Sequence, residues 1–159
     1  MPYTMFFPGF RDIAEQETRS IMVPPGNQWS LPAAQYSFLE MFCDEKGCDC
    51  RRVMFSVVSS IGLRFEAVIV YGWESREFYA KWMGDDDPLS IDNLLGPVLN
   101  ISSPQSDIAP AILALAKDLL LTDVAYIERV KRHYKMFRSR IDEVKPAPRK
   151  NNKKSKRKK

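Results

Sequence analysis

Short apolar runs in the first half of the chain predict β-strands. Residues 35–43, 51–60 and 64–73 are rich in β-branched and aromatic residues, and only short turns separate them. Strands joined by short connections pair antiparallel, because a parallel pair needs a long crossover. We therefore predict a three-stranded antiparallel sheet in this part of the chain.

Helical periodicity dominates the second half. Residues 123–143 carry apolar side chains at spacings of three and four, which predicts a long helix with one buried face. The positions on that face are Val124, Ile127, Val130, Tyr134, Phe137 and Ile141. We expect a second helix over 107–121, and a shorter one over 76–83 between Ser75 as the N-cap and Gly84.

Two other segments carry weaker patterns. Residues 11–22 are polar enough for a short surface helix that ends before the Pro24-Pro25-Gly26 break, and residues 84–106 are typical of a loop. Strands followed by helices indicate an α+β fold, in which the C-terminal helices lie across one face of the sheet. We expect a single domain over residues 1–144.

All three cysteines lie within eight residues, at the turn between the first two predicted strands. Cys43, Cys48 and Cys50 form a C-x4-C-x-C pattern, and three thiolates would fill three corners of a tetrahedral zinc site. A disulfide is less favoured, since the number is odd and a Cys48–Cys50 pair would be strained. We predict one structural zinc here. Unliganded structural thiols and a redox or nucleophilic role are the alternatives.

The sole histidine, His133, borders the apolar face of the last predicted helix and is the expected fourth zinc ligand. That helix should pack on the sheet whose hairpin carries the cysteines. The alternative for His133 is a satisfied histidine at the edge of the core. Asp44 or Asp49 could supply an oxygen instead, although both are more typical of solvated turn carboxylates.

The net charge of +4 is unevenly distributed. Nine of the 24 basic residues and none of the 20 acidic residues fall within 145–159, which leaves 15 basic against 20 acidic residues in the body. Such a segment cannot form a core, so we expect a disordered tail that binds nucleic acid or a ribonucleoprotein. The expected contacts are Lys150, Lys153, Lys154, Lys156, Arg157, Lys158 and Lys159. A tail that only aids solubility is the alternative.

Composition and the absence of known motifs argue against secreted proteins, membrane proteins and several classes of enzyme. The start of the chain lacks the features of a signal peptide, and the apolar stretch 108–121 is too short to span a bilayer, so we expect a cytoplasmic protein without a membrane partner. Phosphate-loop, nucleophile-elbow and H-E-x-x-H patterns do not occur, so we assign no catalytic residue and no small-molecule substrate. The favoured function is a non-enzymatic zinc-stabilised binding module. The rivals are a protein-interaction domain with a solubilising tail, and a metal-dependent hydrolase or nuclease that uses Asp85, Asp86 and Asp87 or an open zinc corner.

Three stretches, LEMFCDEKGCDCRRV, VIVYGWESREFYAKWM and YIERVKRHYKMFR, carry a resemblance. They are similar to a family of uncharacterised bacterial and archaeal proteins, some of which resemble SEC-C proteins, whose chains end in the short cysteine-rich zinc tail also found in the SecA translocase. The resemblance covers about residues 30–140 and depends mostly on the Cys-Asp-Cys-Arg-Arg run. It implies an intracellular zinc-binding protein without an established activity. A lysine-rich tail stands where a second cysteine motif would be expected, so the resemblance does not extend to a SecA-like role.

Overall fold

A computed structural model of the chain describes residues 2–143. The predicted polybasic tail and its seven named residues lie outside this range. The strands are β1 (Tyr3–Met5), β2 (Arg19–Val23), β3 (Ala34–Cys43), β4 (Arg52–Ser59), β5 (Arg64–Gly72) and β6 (Val98–Leu99). The helices are α1 (Arg11–Glu17), α2 (Arg76–Met83), α3 (Pro88–Leu95), α4 (Ala109–Leu115) and α5 (Val124–Glu143). A 3-10 turn (Phe7–Gly9) precedes α1, and a π-helical turn (Ala116–Leu120) continues α4.

The strands of residues 2–143 form one antiparallel sheet. β1 and β2 lie one after the other along the same edge of β3, with Tyr3 opposite Cys43 and Val23 opposite Ala34. The other edge of β3 pairs with β4, and β5 and β6 follow. The predicted α+β class is therefore confirmed. The predicted number of strands is wrong, since the sheet has six and not three.

The additional strands lie at the edges of the sheet. Residues 19–23 do not continue the first helix as expected, because α1 ends at Glu17 and β2 follows directly. In β2 the buried Ile21 and Val23 alternate with Met22, which is 70% exposed, and this period of two marks a half-buried strand. β6 has only two residues, which is too short for any periodic pattern to show.

The segment predicted as a loop also contains a helix. Pro88 begins α3, and the side chain of Asp87 accepts a hydrogen bond of 2.9 Å from the backbone N–H of Ser90. An acidic N-cap followed by proline in the first turn is a strong helix start. The shorter helix α2 has the predicted cap residues, Ser75 and Gly84.

The helices α1, α4 and α5 pack with one face of the sheet to form the core. The buried side chains of α5 include Val130, Tyr134 and Phe137, as the periodicity predicts. Val124, by contrast, is 75% exposed, and Tyr126 takes the buried position in the first turn. No helix within residues 2–143 combines the length and the apolar character needed to cross a bilayer.

Candidate metal centre

The three cysteines converge at one end of the sheet. Cys43 is the last residue of β3, and Cys48 and Cys50 lie in the turn that leads into β4. Their sulfur atoms all lie within 4.8 Å of one another. Zinc–sulfur bonds of about 2.3 Å place the sulfurs of a tetrahedral site about 3.8 Å apart, so the group needs only a small contraction to bind a metal. Cys43 and Cys50 are buried, and Cys48 is partly exposed.

Backbone groups of the turn are directed at the sulfurs. The hydrogen bonds run from the backbone of Glu45 to Cys43, of Cys50 to Cys48, and of Arg52 to Cys50. Each favours the thiolate, but burial outweighs them and raises the pKa of all three thiols. A bound cation would shift this balance towards the thiolates, which are the form that binds metal.

The last helix holds the cysteine turn through its C-terminal end. The guanidinium of Arg138 donates to the backbone carbonyls of Cys43 and Glu45 at 2.6 and 2.7 Å. Asp142 accepts from the backbone N–H of Gly47 at 2.8 Å and also pairs with Arg138 at 2.9 Å. Gly47 has a φ of 76°, a conformation in which glycine is strongly favoured. The contacts from α5 thus fix the turn through its backbone and not through its sulfurs.

Two tyrosines hold the residue that follows the cysteines. The backbone N–H of Arg51 donates to the hydroxyl of Tyr134 at 3.1 Å, and the hydroxyl of Tyr79 donates to the Arg51 carbonyl at 2.8 Å. Burial raises the pKa of both tyrosines, and the nearby Cys50 adds to the effect. Gly72 makes room for Tyr79, since a Cβ at this position would lie 2.3 Å from the Tyr79 hydroxyl oxygen.

A third tyrosine lies in the first strand, opposite Cys43. The hydroxyl of Tyr3 accepts a hydrogen bond of 3.1 Å from the guanidinium of Arg52. Burial raises the pKa of Tyr3, against the opposing effect of Arg52, so its hydroxyl stays protonated beside the thiols. Tyr3 and Arg52 thereby join the N-terminal strand to the segment that carries the cysteines.

The structure places the predicted fourth ligand elsewhere. His133 is fully buried. Its Nδ1 lies 2.8 Å from Oε1 of Glu40, its Nε2 lies 2.6 Å from Oε2 of Glu17, and its ring stacks on Phe6. Both ring nitrogens are therefore engaged, and His133 is not part of the cysteine group. Burial lowers the pKa of His133, but the two carboxylates outweigh it and the net shift is upward.

The two carboxylates considered as alternative ligands do not join the group either. Asp44 accepts a hydrogen bond of 2.6 Å from the hydroxyl of Thr4, and Asp49 pairs with Arg51 through both of its oxygens. Within residues 2–143, the cysteines form a metal-ligand group without any histidine or carboxylate.

The acidic run of the rival enzyme hypothesis lies apart from this site. Asp85, Asp86 and Asp87 are exposed in the loop between α2 and α3. Asp85 accepts from the backbone N–H of Asp87 at 3.1 Å, and Asp87 accepts from Ser90 as the cap of α3. Hydrogen bonds to Ser90 lower the pKa of Asp87. Within the described part of the chain, these carboxylates form no group with metal-ligand spacing.

The side chains that hold the cysteine turn were not predicted from the sequence as parts of the site. The available signal lies in the helical spacing of α5, where Tyr134, Arg138 and Asp142 follow one another at intervals of four. Residues four apart share one face of a helix. A buried face that continues into an arginine and an aspartate indicates a polar contact at the helix end.

Comparisons with known proteins add no assignment. The chain matches no protein-family model, no curated protein and no solved structure.

Proposed function

We propose that this protein is a zinc-binding module in which Cys43, Cys48 and Cys50 hold one zinc ion. The observation that carries the proposal is the convergence of the three sulfurs within 4.8 Å. Thiolate ligands select zinc over the hard cations magnesium and calcium. The Cys-Asp-Cys-Arg-Arg run, similar to that of SEC-C-related proteins, supports the same metal. Free thiols also need a reducing compartment, so the proposal includes a cytoplasmic location.

The role proposed for the zinc is structural. The turn joins two central strands and contacts α5 through Arg138 and Asp142. A metal bound there stabilises the folded state by the difference between its binding free energies to the folded turn and to the unfolded chain.

Elemental analysis of full-length protein purified without chelator tests this proposal. We expect one zinc per chain, and we expect Cys43→Ser and Cys48→Ser/Cys50→Ser proteins to lose it. His133→Gln is the control, because it removes the fourth ligand predicted from the sequence, which is not part of the cysteine group. Absence of stoichiometric zinc from the wild type, or its full retention in the double variant, would contradict the site.

The proposed partner is nucleic acid or a ribonucleoprotein, bound by the polybasic segment 145–159. Its support is the charge distribution of the sequence, in which nine basic residues occur without an acidic one. The test compares the wild type with a full-length chain in which these nine residues are glutamine, using labelled RNA and DNA at several salt concentrations. Charge-driven binding weakens as salt rises, with a slope of about −0.7 per phosphate contact on a single strand. Equal affinity of the two proteins would exclude the tail as the contact and favour a protein-interaction domain.

A metal-dependent hydrolase or nuclease is the second candidate. The observation that favours it is that the cysteine group has no fourth ligand among residues 2–143, because catalytic zinc keeps one position for water. Product formation that requires zinc and is lost in Cys50→Ser protein would support this candidate. Loss of activity in Asp86→Asn protein alone would assign the chemistry to the acidic loop instead.

A further inference from the structure

A cleft of about 590 Å³ lies along α5, beside the end of α1. This volume is within the range of small-molecule sites in proteins. Its charged lining residues are Arg129, Lys131, Arg132 and Lys135 on the basic side, and Glu17 and Glu128 on the acidic side. We call it the α5 cleft. It differs from the cysteine turn in position and in chemistry.

The acidic side chains of the α5 cleft are already paired. Glu17 is bonded through one oxygen to Arg132 at 2.5 Å and through the other to His133 at 2.6 Å. Glu128 pairs with Lys131 at 3.0 Å. These pairs neutralise both carboxylates and leave the cleft with a surplus of positive charge.

Two basic side chains supply that surplus. Arg129 donates to the backbone carbonyl of Glu17 at 3.1 Å, and its guanidinium lies over the ring of Tyr126. Lys135 is exposed, and neither it nor Arg129 forms a salt bridge within residues 2–143. The cleft therefore carries a surplus of two positive charges, and Arg132, whose side chain is 50% exposed, can contact an anionic ligand beside its pair with Glu17.

A buried hydrogen-bonded chain lies behind the cleft. It runs from Glu40, whose side chain is 2% exposed, through the fully buried His133 to Glu17 and ends at Arg132. Burying such groups costs free energy unless they pair, and here each member has a partner. The chain fixes Glu17 at the cleft, and Glu17 in turn restricts the orientation of the exposed Arg132.

We propose that the α5 cleft binds the phosphate groups of a nucleic-acid strand through Arg129, Arg132 and Lys135. Guanidinium groups pair with phosphate oxygens through two parallel hydrogen bonds, and an ordered arginine loses less entropy on binding. Glu17 is the positioning residue for Arg132. The inference rests on the nucleic-acid partner proposed above, and it adds a contact within the folded domain. Lys135 lies eight residues, or about 12 Å of helix, before Glu143, so the cleft lies on the helix that precedes segment 145–159 in the sequence.

The test measures binding of a labelled single-stranded oligonucleotide to full-length protein over a range of salt. Arg132→Gln/Lys135→Gln removes two exposed cations from the cleft without emptying a buried position. Lys81→Gln/Lys117→Gln is the matched control, since both lysines are exposed, lie outside the cleft and carry the same charge. We expect the salt slope to become shallower by about 1.4 in the cleft variant, for two lost phosphate contacts. Affinity at low salt should fall about tenfold or more, and an equal slope in the cleft and control variants would overturn the inference.

The same substitutions in the chain with a neutral tail separate the two proposals. If the neutral-tail protein retains some binding and the cleft substitutions abolish it, the cleft proposal is supported. If the neutral-tail protein binds with wild-type affinity and loses that binding when the cleft is substituted, the cleft proposal is supported and the tail proposal is wrong. If the neutral-tail protein does not bind, and the salt slope of the cleft variant equals that of the wild type, the cleft proposal is wrong and the tail proposal is supported. Equal competition by inorganic phosphate, at the same concentration of phosphate groups, would overturn the assignment to a nucleic-acid strand.

Glu17→Gln tests the positioning role by the sign of its effect. Removal of a negative charge from the cleft strengthens anion binding if only charge matters. If Glu17 orients Arg132, affinity falls despite the more positive cleft, and we expect a fall of about tenfold. Urea unfolding of the same sample verifies that the variant is folded under the binding conditions. Tighter binding by the folded variant would overturn the positioning role.

Discussion

The cysteine turn and the surroundings of His133 both depend on α5, but they use their polar atoms differently. At the cysteine turn, Arg138 and Asp142 form hydrogen bonds to backbone groups and not to the sulfurs. At His133, the side chains bond to each other, and both ring nitrogens are engaged by carboxylates. The first arrangement is suited to binding a cation, whereas the second already satisfies its own donors and acceptors. Proximity of candidate ligands to a helix is therefore not sufficient evidence for a metal site.

The sharpest test of this difference is His133→Ala. Loss of the imidazole leaves Glu40 buried without its partner. We therefore expect the free energy of unfolding to fall by about 3–5 kcal/mol. Zinc content should stay the same, since His133 does not contact the cysteines. Urea denaturation and metal analysis of the same preparation provide both measurements. Loss of zinc from folded His133→Ala protein would show that the two regions form one site.

Zinc removal should produce the next largest effect. A chelator should lower the free energy of unfolding by about 2.7 kcal/mol relative to protein with free zinc at 100 times its Kd. The decrease should be the same in His133→Ala protein, because independent sites contribute additively. Cys50→Ser protein is the control and should not respond to the chelator. A smaller chelator effect in His133→Ala than in the wild type would indicate coupling between the regions.

The contribution of α5 to the cysteine turn can be measured with Arg138→Gln. This substitution removes hydrogen bonds to the carbonyls of Cys43 and Glu45, and we expect zinc affinity to fall about 10- to 100-fold. Arg140→Gln is the matched control on the same helix, since Arg140 bonds to the carbonyl of Gly9 and not to the turn. Competition with a chromophoric chelator gives the affinities. Equal affinities of the two variants would mean that the turn holds its geometry without α5.

The smallest expected effect is that the stability contributed by His133 and the affinity for zinc change in opposite directions with pH. The carboxylates beside His133 raise its pKa in the folded state, although burial opposes them. The stability that His133 contributes is therefore complete below its unfolded pKa of about 6.5. It is lost as pH rises through its pKa in the folded state. Zinc affinity should instead increase with pH, because burial raises the pKa of the thiols and binding must release their protons. Urea unfolding of zinc-free wild type and His133→Gln protein across pH measures the first trend, and zinc titration measures the second. Trends of the same sign would contradict the separation of the two regions.

Local patterns were sufficient to predict much of the fold. The strands β3, β4 and β5, the caps of α2 and the long helix α5 follow from sequence neighbours alone. The edge strands were not predicted, since β1 and β6 have three and two residues and β2 follows a helix after a single residue. Such segments become strands because β3 and β5 offer free edges, which is tertiary information.

The candidate site shows the same limit. The clustering of the cysteines is visible in the sequence because they are close along the chain. The partners of His133 are not visible in the sequence, since Glu40 and Glu17 lie 93 and 116 residues away along the chain. One signal was available at Glu40, which occupies an inward position of β3 between Phe38 and Phe42. A carboxylate at a core position of a strand requires a buried partner, and the sole histidine was the natural candidate.

The distance along the chain between Glu17 and His133 also has a consequence for synthesis. The hairpins β3–β4 and β4–β5 join neighbouring segments and can form as soon as they leave the ribosome. Their core face carries Phe38 and Phe55, and α5, whose Tyr126 stacks on Phe55, is translated much later. The nascent sheet therefore exposes aromatic side chains until residues 124–143 emerge, an interval in which chaperones and aggregation compete for the same surface. Translation speed across the segment that follows β5 should thus influence the yield of folded protein.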